Sequence, residues 1–277
     1  EAGYEMLEKG GNAIDAAVAT GFALGVVEPF GSGMGGEGVM MIYIEEEDKV
    51  LAIDFKGVAP SQVPKPENYD KDTVTDEEHW RMGVGAQLVP GTPAGLAYAL
   101  ENYGTMELKE VLQPAIRYAE EGFEVYPLLA DLIVDRQKYM NDAARDVFFP
   151  DGEAAETGDI LYQKDLANTM KRIAENGINE FYKGATADKI ADALEGHFVK
   201  EDLENYEPIV KEPATGNYRG YKLYSSPPPV AGAVLIHALN ILENFNLENL
   251  YNNDEVYYNH VFMEAFNIAV SEYYDCI

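Results

Sequence analysis

The sequence predicts an α+β fold, on three observations. Residues 39–44 (VMMIYI) and 50–55 (VLAIDF) are short, β-rich apolar runs on either side of the polar stretch EEEDK, the pattern of a hairpin. Most of the remaining chain is divided by helix start and stop residues rather than by alternating patterns. A glycine-rich turn joins a helix to the first strand run, giving the order helix, glycines, strand.

The elements follow in order. Residues 1–9 read as a helix stopped by Gly10 and Gly11. Asn12 is a good N-cap, and Asp15 three residues later makes a variant of the capping box. The helix over 13–27 is apolar nearly all round, which predicts burial on most sides, and Pro29 ends it. The turn 31–38 leads into the hairpin, whose first run barely alternates, so that strand is expected to be covered on both faces. Residues 58–84 form a polar connection closing on Trp80, which is expected at the edge of the core. Thr92 is expected to cap a helix with Pro93 in its first position, Gly104 stops it, and Thr105 is expected to cap the next. Gln113 and Pro114 restart the helix as far as Gly122. Further helices are predicted over 127–140, 164–176 and 185–194. Residues 216–229 read as one or two strands ending in a rigid polyproline turn at Pro227–Pro229, before helices over 232–244 and 254–274.

No repeat or flexible linker breaks the chain, so residues 1–277 are expected to form one continuous domain. It opens inside a helical pattern and closes without a helix stop, so the expectation is an incomplete domain, truncated at both ends.

Composition narrows the function. Twenty Lys and Arg against 49 Asp and Glu leave a formal charge of −29. Such a surface repels nucleic acid and anionic membrane, and neither is expected as a partner. The longest apolar stretch, 13–27, is interrupted by Asp15, Thr20 and two glycines and is too short to span a bilayer. Cys276 is the single cysteine, so no internal disulfide can form, and it reads as a small apolar side chain. The histidines at 79, 197, 237 and 260 lie far apart with no ligand spacing, so neither a metal site nor a cofactor is expected.

Gly31, Gly33 and Gly36 have the G-x-G-x-x-G spacing of a dinucleotide fingerprint. That site needs strand, glycines, then helix, so that pyrophosphate meets free N–H groups at a helix N-terminus. Here the order is reversed, and Glu28 and Glu37 bring the wrong charge for phosphate. The glycines are better explained by a tight bend into a buried hairpin.

Seven stretches, taken together and in order, resemble the large subunit of the γ-glutamyltransferase (γ-glutamyltranspeptidase) family. They are GGNAIDAAVATGFALGVVEPFGSGMGGEG (10–38), AIDFKGVAP (52–60), residues 89–125, residues 165–184, EDLENYEP (201–208), YRGYKLYSSPPPVAG (218–232) and EAFNIA (264–269). The resemblance implies an N-terminal-nucleophile hydrolase with a four-layer αββα sandwich, to which the helix 13–27 and the hairpin would belong. It implies a precursor that cuts itself in two. The new N-terminal Thr of a small subunit attacks a γ-glutamyl amide, with its own α-amino group as base and backbone donors holding the oxyanion. An acyl-enzyme forms and passes the glutamyl group to water or to an amino acid. None of the threonines here sits in a Thr-Thr-His-like cleavage context, so no catalytic residue is expected in this chain. The expected partner is a small subunit carrying the nucleophile.

One substrate-binding residue follows from the resemblance. The family's DFRE-x-AP stretch grips the α-carboxylate of the donor through its Arg, and here it reads DFKGVAP, with Lys56 in place of the Arg and Gly57 in place of the Glu. Lysine is a point charge on a flexible stem, whereas arginine is a planar two-pronged donor. Read from spacing alone, Lys56 is a solvated lysine at a strand end. Asp54 reads as a satisfied strand-edge acid. The departure at 56–57 keeps a second function open, an acylase or amidohydrolase with a different acyl group, and a third is a non-catalytic relative that only binds.

Overall fold

The computed structural model describes residues 1–62, 86–194 and 197–276, with side chains as far as Tyr273. Most of the 58–84 connection, with Trp80 and His79, and the side chain of Cys276 lie outside the described residues. In chain order the elements begin with α1 (Ala2–Glu8), α2 (Ala13–Val27), β1 (Gly38–Ile44) and β2 (Lys49–Phe55). Next come α3 (Thr92–Tyr103), α4 (Leu108–Val111), α5 (Gln113–Glu121) and β3 (Phe123–Glu124). They are followed by α6 (Pro127–Arg136), α7 (Asp142–Phe148), β4 (Ile160–Leu161), α8 (Lys164–Asn176), α9 (Asn179–Tyr182), α10 (Ala185–Ala193) and α11 (Lys200–Glu204). The last are β5 (Ile209–Lys211), β6 (Ala214–Tyr218), β7 (Tyr221–Ser225), α12 (Gly232–Leu242), α13 (Leu247–Asn253) and α14 (Glu255–Cys276).

Two compact units emerge, one of Glu1–Gly38 with Phe55–Pro208, the other of Val39–Asp54 with Ile209–Ile277. The first is helical and organised around α2, which packs against α1, α3, α4 and α5. Val18, Ala19, Phe22, Ala23 and Val26 of α2 are buried. Ala13, Ala17, Thr20 and Leu24 form an exposed stripe, so the all-round apolar helix is covered on most of its circumference but not all of it. A satellite core of Val125, Leu129, Ile133, Ala155 and Leu161 joins α6 to the short β3–β4 pair.

The capping box at the start of α2 forms as expected, with Asn12 accepting from Ile14 and Asp15 N–H and Asp15 accepting from Asn12 N–H at 2.7 Å. Asp15 has a second role that its spacing does not disclose. It is fully buried. Its Oδ1 accepts from the N–H groups of Thr105 and Met106 at 2.9 and 3.0 Å, and its Oδ2 from the Thr105 hydroxyl at 2.7 Å. Burial pushes this carboxyl up, but the hydrogen bonds from Thr105, Asn12 and Met106 outweigh burial and hold it below the usual range. Thr105 therefore does not cap the following helix. Glu107 is the N-cap residue of that helix, its N–H donating to Glu110 Oε2 at 3.2 Å, while the Thr105 hydroxyl is committed to Asp15.

In the second unit β1, β2 and β5 form a sheet in that order, with β5 antiparallel to β2 in the register Ile53↔Val210. The strand covered on both faces is β2, buried from Leu51 to Phe55. The expectation for β1 is corrected, since Met41 and Tyr43 are exposed. The central place in the sheet belongs to β2, and a run of apolar residues does not reveal which strand of a hairpin is central. Asp54 is buried on this central strand and accepts from Lys211 Nζ at 2.6 Å, a satisfied acid. Residues 214–225 form a two-stranded hairpin, β6–β7, turning through Arg219 and Gly220 at φ 49° and 84°, the left-handed pair of a type I′ turn. Helix α12 packs on this hairpin and on α14, with Val234, Ala238 and Ala269 at the contact.

Candidate functional site

Lys56 follows directly on the last residue of β2, and Glu37 directly precedes β1. The two side chains form an ion pair, Lys56 Nζ to Glu37 Oε1. The other carboxylate oxygen, Oε2, accepts from Gly57 N–H at 2.6 Å. Their side chains are 39% and 35% exposed, so both charges are open to solvent and to a solute.

The backbone under this pair is fixed by α3. The Gly36 carbonyl accepts from Gly91 and Thr92 N–H at 2.9 and 3.0 Å, and so serves the first orphan donors of that helix. The expected Thr92 cap is thereby corrected. Gly91 is the N-cap residue, Thr92 is inside the helix, and no side chain caps it, because the glycine turn supplies the acceptor. Pro93 has no N–H to satisfy, and Ala94 N–H donates to the Tyr182 hydroxyl at 3.1 Å. That hydroxyl in turn donates to the Pro90 carbonyl at 2.7 Å. Burial pushes the Tyr182 hydroxyl far up, so it remains protonated and a donor. Tyr182 stacks on Tyr206, ring centroids 5.7 Å apart, and Tyr206 donates to the Lys56 carbonyl at 2.9 Å.

Close approach makes this arrangement possible. A Cβ on Gly95 of α3 would lie 2.1 Å from Phe55 Cγ, and one on Gly91 would lie 1.9 Å from the Phe55 carbonyl oxygen. The end of β2 thus lies against the first turn of α3, and Lys56 emerges from that contact.

Lys56 is the substrate-binding residue expected from sequence. Glu37, Tyr182 and Tyr206 were not singled out for it, since their link to Lys56 crosses 19 to 150 residues of chain. The one available signal was an acidic residue inside a glycine turn. The G-x-G-x-x-G spacing finds its place here as expected: helix α2, turn, then strand β1, with no helix N-terminus after Gly36 to receive a phosphate. Among the described residues no group of three or more His, Cys, Asp or Glu is placed to hold a metal ion, and no helix is long and apolar enough to cross a membrane.

This α+β arrangement is that of the N-terminal-nucleophile hydrolases, and solved structures share it. The crystal structure of Helicobacter pylori γ-glutamyltranspeptidase matches with a TM-score of 0.92 at 36% identity, over 97% of this chain and 78% of that one. The crystal structure of cephalosporin acylase from Bacillus halodurans matches with a TM-score of 0.86, also at 36% identity, over 97% of this chain and 51% of that one. The chain belongs to the γ-glutamyltranspeptidase family, whose model matches residues 1–275. A glutathione hydrolase proenzyme from Bacillus subtilis (strain 168) is 42% identical over 253 residues, 89% of this chain and 43% of the relative. The chain thus spans less than half the length of that relative.

Proposed function

We propose that this chain is the large-subunit part of a γ-glutamyltransferase or glutathione hydrolase-like enzyme, and that Lys56 receives the α-carboxylate of the γ-glutamyl donor. The observation that carries this reading is the position of Lys56. It stands where the family's stretch has its carboxylate-gripping Arg, at the end of a buried strand, solvent-accessible, with its backbone held by Tyr206. The nucleophile would be the N-terminal Thr of a small subunit. Its hydroxyl attacks the γ-carbonyl carbon while its α-amino group takes the hydroxyl proton. The C–N bond of the amide breaks, that proton goes to the leaving amine, and a glutamyl ester remains for water or an amino acid to take up. The designation of the Bacillus subtilis relative as a proenzyme supports cleavage into two subunits. Met41 and Tyr43, two residues apart on β1 and so on one face of the sheet, are exposed apolar surface that a further layer would cover.

The test is steady-state kinetics of the full-length, processed protein on a γ-glutamyl anilide. Lys56→Met is expected to raise KM by about 10- to 100-fold with a smaller change in kcat, the signature of lost ground-state binding. An unchanged KM would remove Lys56 from the donor site. A second reading, an acylase for another acyl group, draws on the Bacillus halodurans cephalosporin acylase and on the Lys56-Gly57 departure. A glutaryl or oxamate amide turned over in preference to the γ-glutamyl anilide would favour it.

A further inference from the structure

We propose that Tyr206 is a positioning residue of the donor site: its hydroxyl, carried on a ring stacked against Tyr182, fixes the peptide group from which Lys56 projects, and so sets how well Lys56 meets the donor carboxylate. This rests on the placement of Lys56 at that carboxylate.

Three features of the geometry support it. First, the peptide group between Lys56 and Gly57 is held at both of its polar ends. The Lys56 carbonyl accepts from the Tyr206 hydroxyl at 2.9 Å, and Gly57 N–H donates to Glu37 Oε2 at 2.6 Å. Lys56 lies beyond the last residue of β2, and the residue after it is a glycine, whose backbone is the least restricted of any. A lysine stem adds rotatable bonds of its own. With freedom on both sides, the direction in which Lys56 leaves the chain depends on what holds this peptide group.

Second, the hydroxyl that holds it has little freedom itself. Tyr206 is buried, and its ring lies nearly parallel to that of Tyr182, 11° apart with centroids 5.7 Å apart. Tyr182 is tied in turn to the entry of α3, donating to the Pro90 carbonyl at 2.7 Å and accepting from Ala94 N–H at 3.1 Å. Phenylalanine would fill the same stack, so packing alone does not call for a hydroxyl at position 206.

Third, position 91 leaves room for that hydroxyl. A Cβ on Gly91 would lie 2.4 Å from Tyr206 Oη. A side chain there would push the hydroxyl away from the carbonyl it serves.

The experiment is steady-state kinetics of the full-length processed enzyme on a γ-glutamyl anilide, comparing wild type, Tyr206→Phe, Lys56→Met and the double variant. Tyr206→Phe keeps the ring and removes the hydroxyl. It is expected to raise KM by about three- to tenfold, the range of one hydrogen bond, with kcat within about twofold. In the Lys56→Met background the same change is expected to move KM by less than about twofold, because the hydroxyl acts through the lysine. Should Tyr206→Phe not fold, Tyr182→Phe stands in: it unties the ring beneath Tyr206 from Pro90 and Ala94, and is expected to raise KM by about threefold or more, again only with Lys56 present. An equal rise in KM with and without Lys56 would reduce Tyr206 to structural support and overturn the proposal. So would an unchanged KM, or a loss confined to kcat. Lys56→Met separates this from the donor-site reading. If it leaves KM unchanged, the donor site itself is misplaced and the role of Tyr206 falls with it; if it raises KM while Tyr206→Phe does not, only the role of Tyr206 fails.

Discussion

Asp15 shows how much one side chain can hold. It is a buried acid that accepts four hydrogen bonds, one closing the capping box of its own helix and three holding the chain at 105–106 some 90 residues later. In Asp15→Asn an amide NH2 replaces one acceptor, so in either orientation at least one backbone N–H faces a donor. The expected loss is about 2–3 kcal/mol at neutral pH, measured by urea denaturation. The sign of the pH dependence follows from the lowered native pKa. Its stabilisation is fully present above the ordinary aspartate value of about 3.9 and is lost as pH falls through the lower native value. The gap between wild type and variant should therefore close in strong acid. Sequence disclosed the capping box because that signal is local. It did not disclose the grip on Thr105 and Met106, and it assigned Thr105 to the wrong helix, because a hydroxyl near a helix start looks the same whether it caps or is already engaged.

At the scale of elements, most helices could be read in advance, because their punctuation is local. Lys164–Asn176 agrees to the residue, and Gly104 and Gly122 end their helices as predicted. What stayed hidden was pairing. The third strand, Ile209–Lys211, is three residues long and carries no alternation of its own; only its partner β2 makes it a strand. The contact between β2 and α3 was equally invisible, although it places Lys56. It can be tested at Gly95. In a helix interior Ala is ordinarily favoured over Gly by about 1 kcal/mol. Here the added methyl would lie 2.1 Å from Phe55, and overpacking costs roughly 1–3 kcal/mol or more. The clash should win. Gly95→Ala is expected to lower the midpoint of thermal unfolding, whereas propensity alone would raise it.

For the whole molecule, charge is the dominant fact that sequence supplies. Forty-nine acids against 20 bases mean that self-repulsion outweighs attraction over much of the surface. Exposed pairs such as Lys49–Glu212 and Lys109–Glu107 contribute little individually. Raising salt from about 0.02 M to about 0.5 M screens both effects, and the repulsive one is larger. The thermal midpoint is expected to rise with salt; a fall would mean that the attractive pairs dominate. Family and fold class were legible from seven ordered stretches, whereas the partner of Lys56 needed three dimensions.

Helix α3 is bound at both ends: its entry receives Gly36, and its exit is bound through Asn12 to the Tyr103 carbonyl and through Asp15 to the residues just beyond. Terminal turns are ordinarily where a helix begins to unravel, one amide at a time. This one has no loose end from which to start, so its amides should open together with the surrounding unit or not at all. The platform under the ion pair then stays in register while the rest of the protein breathes.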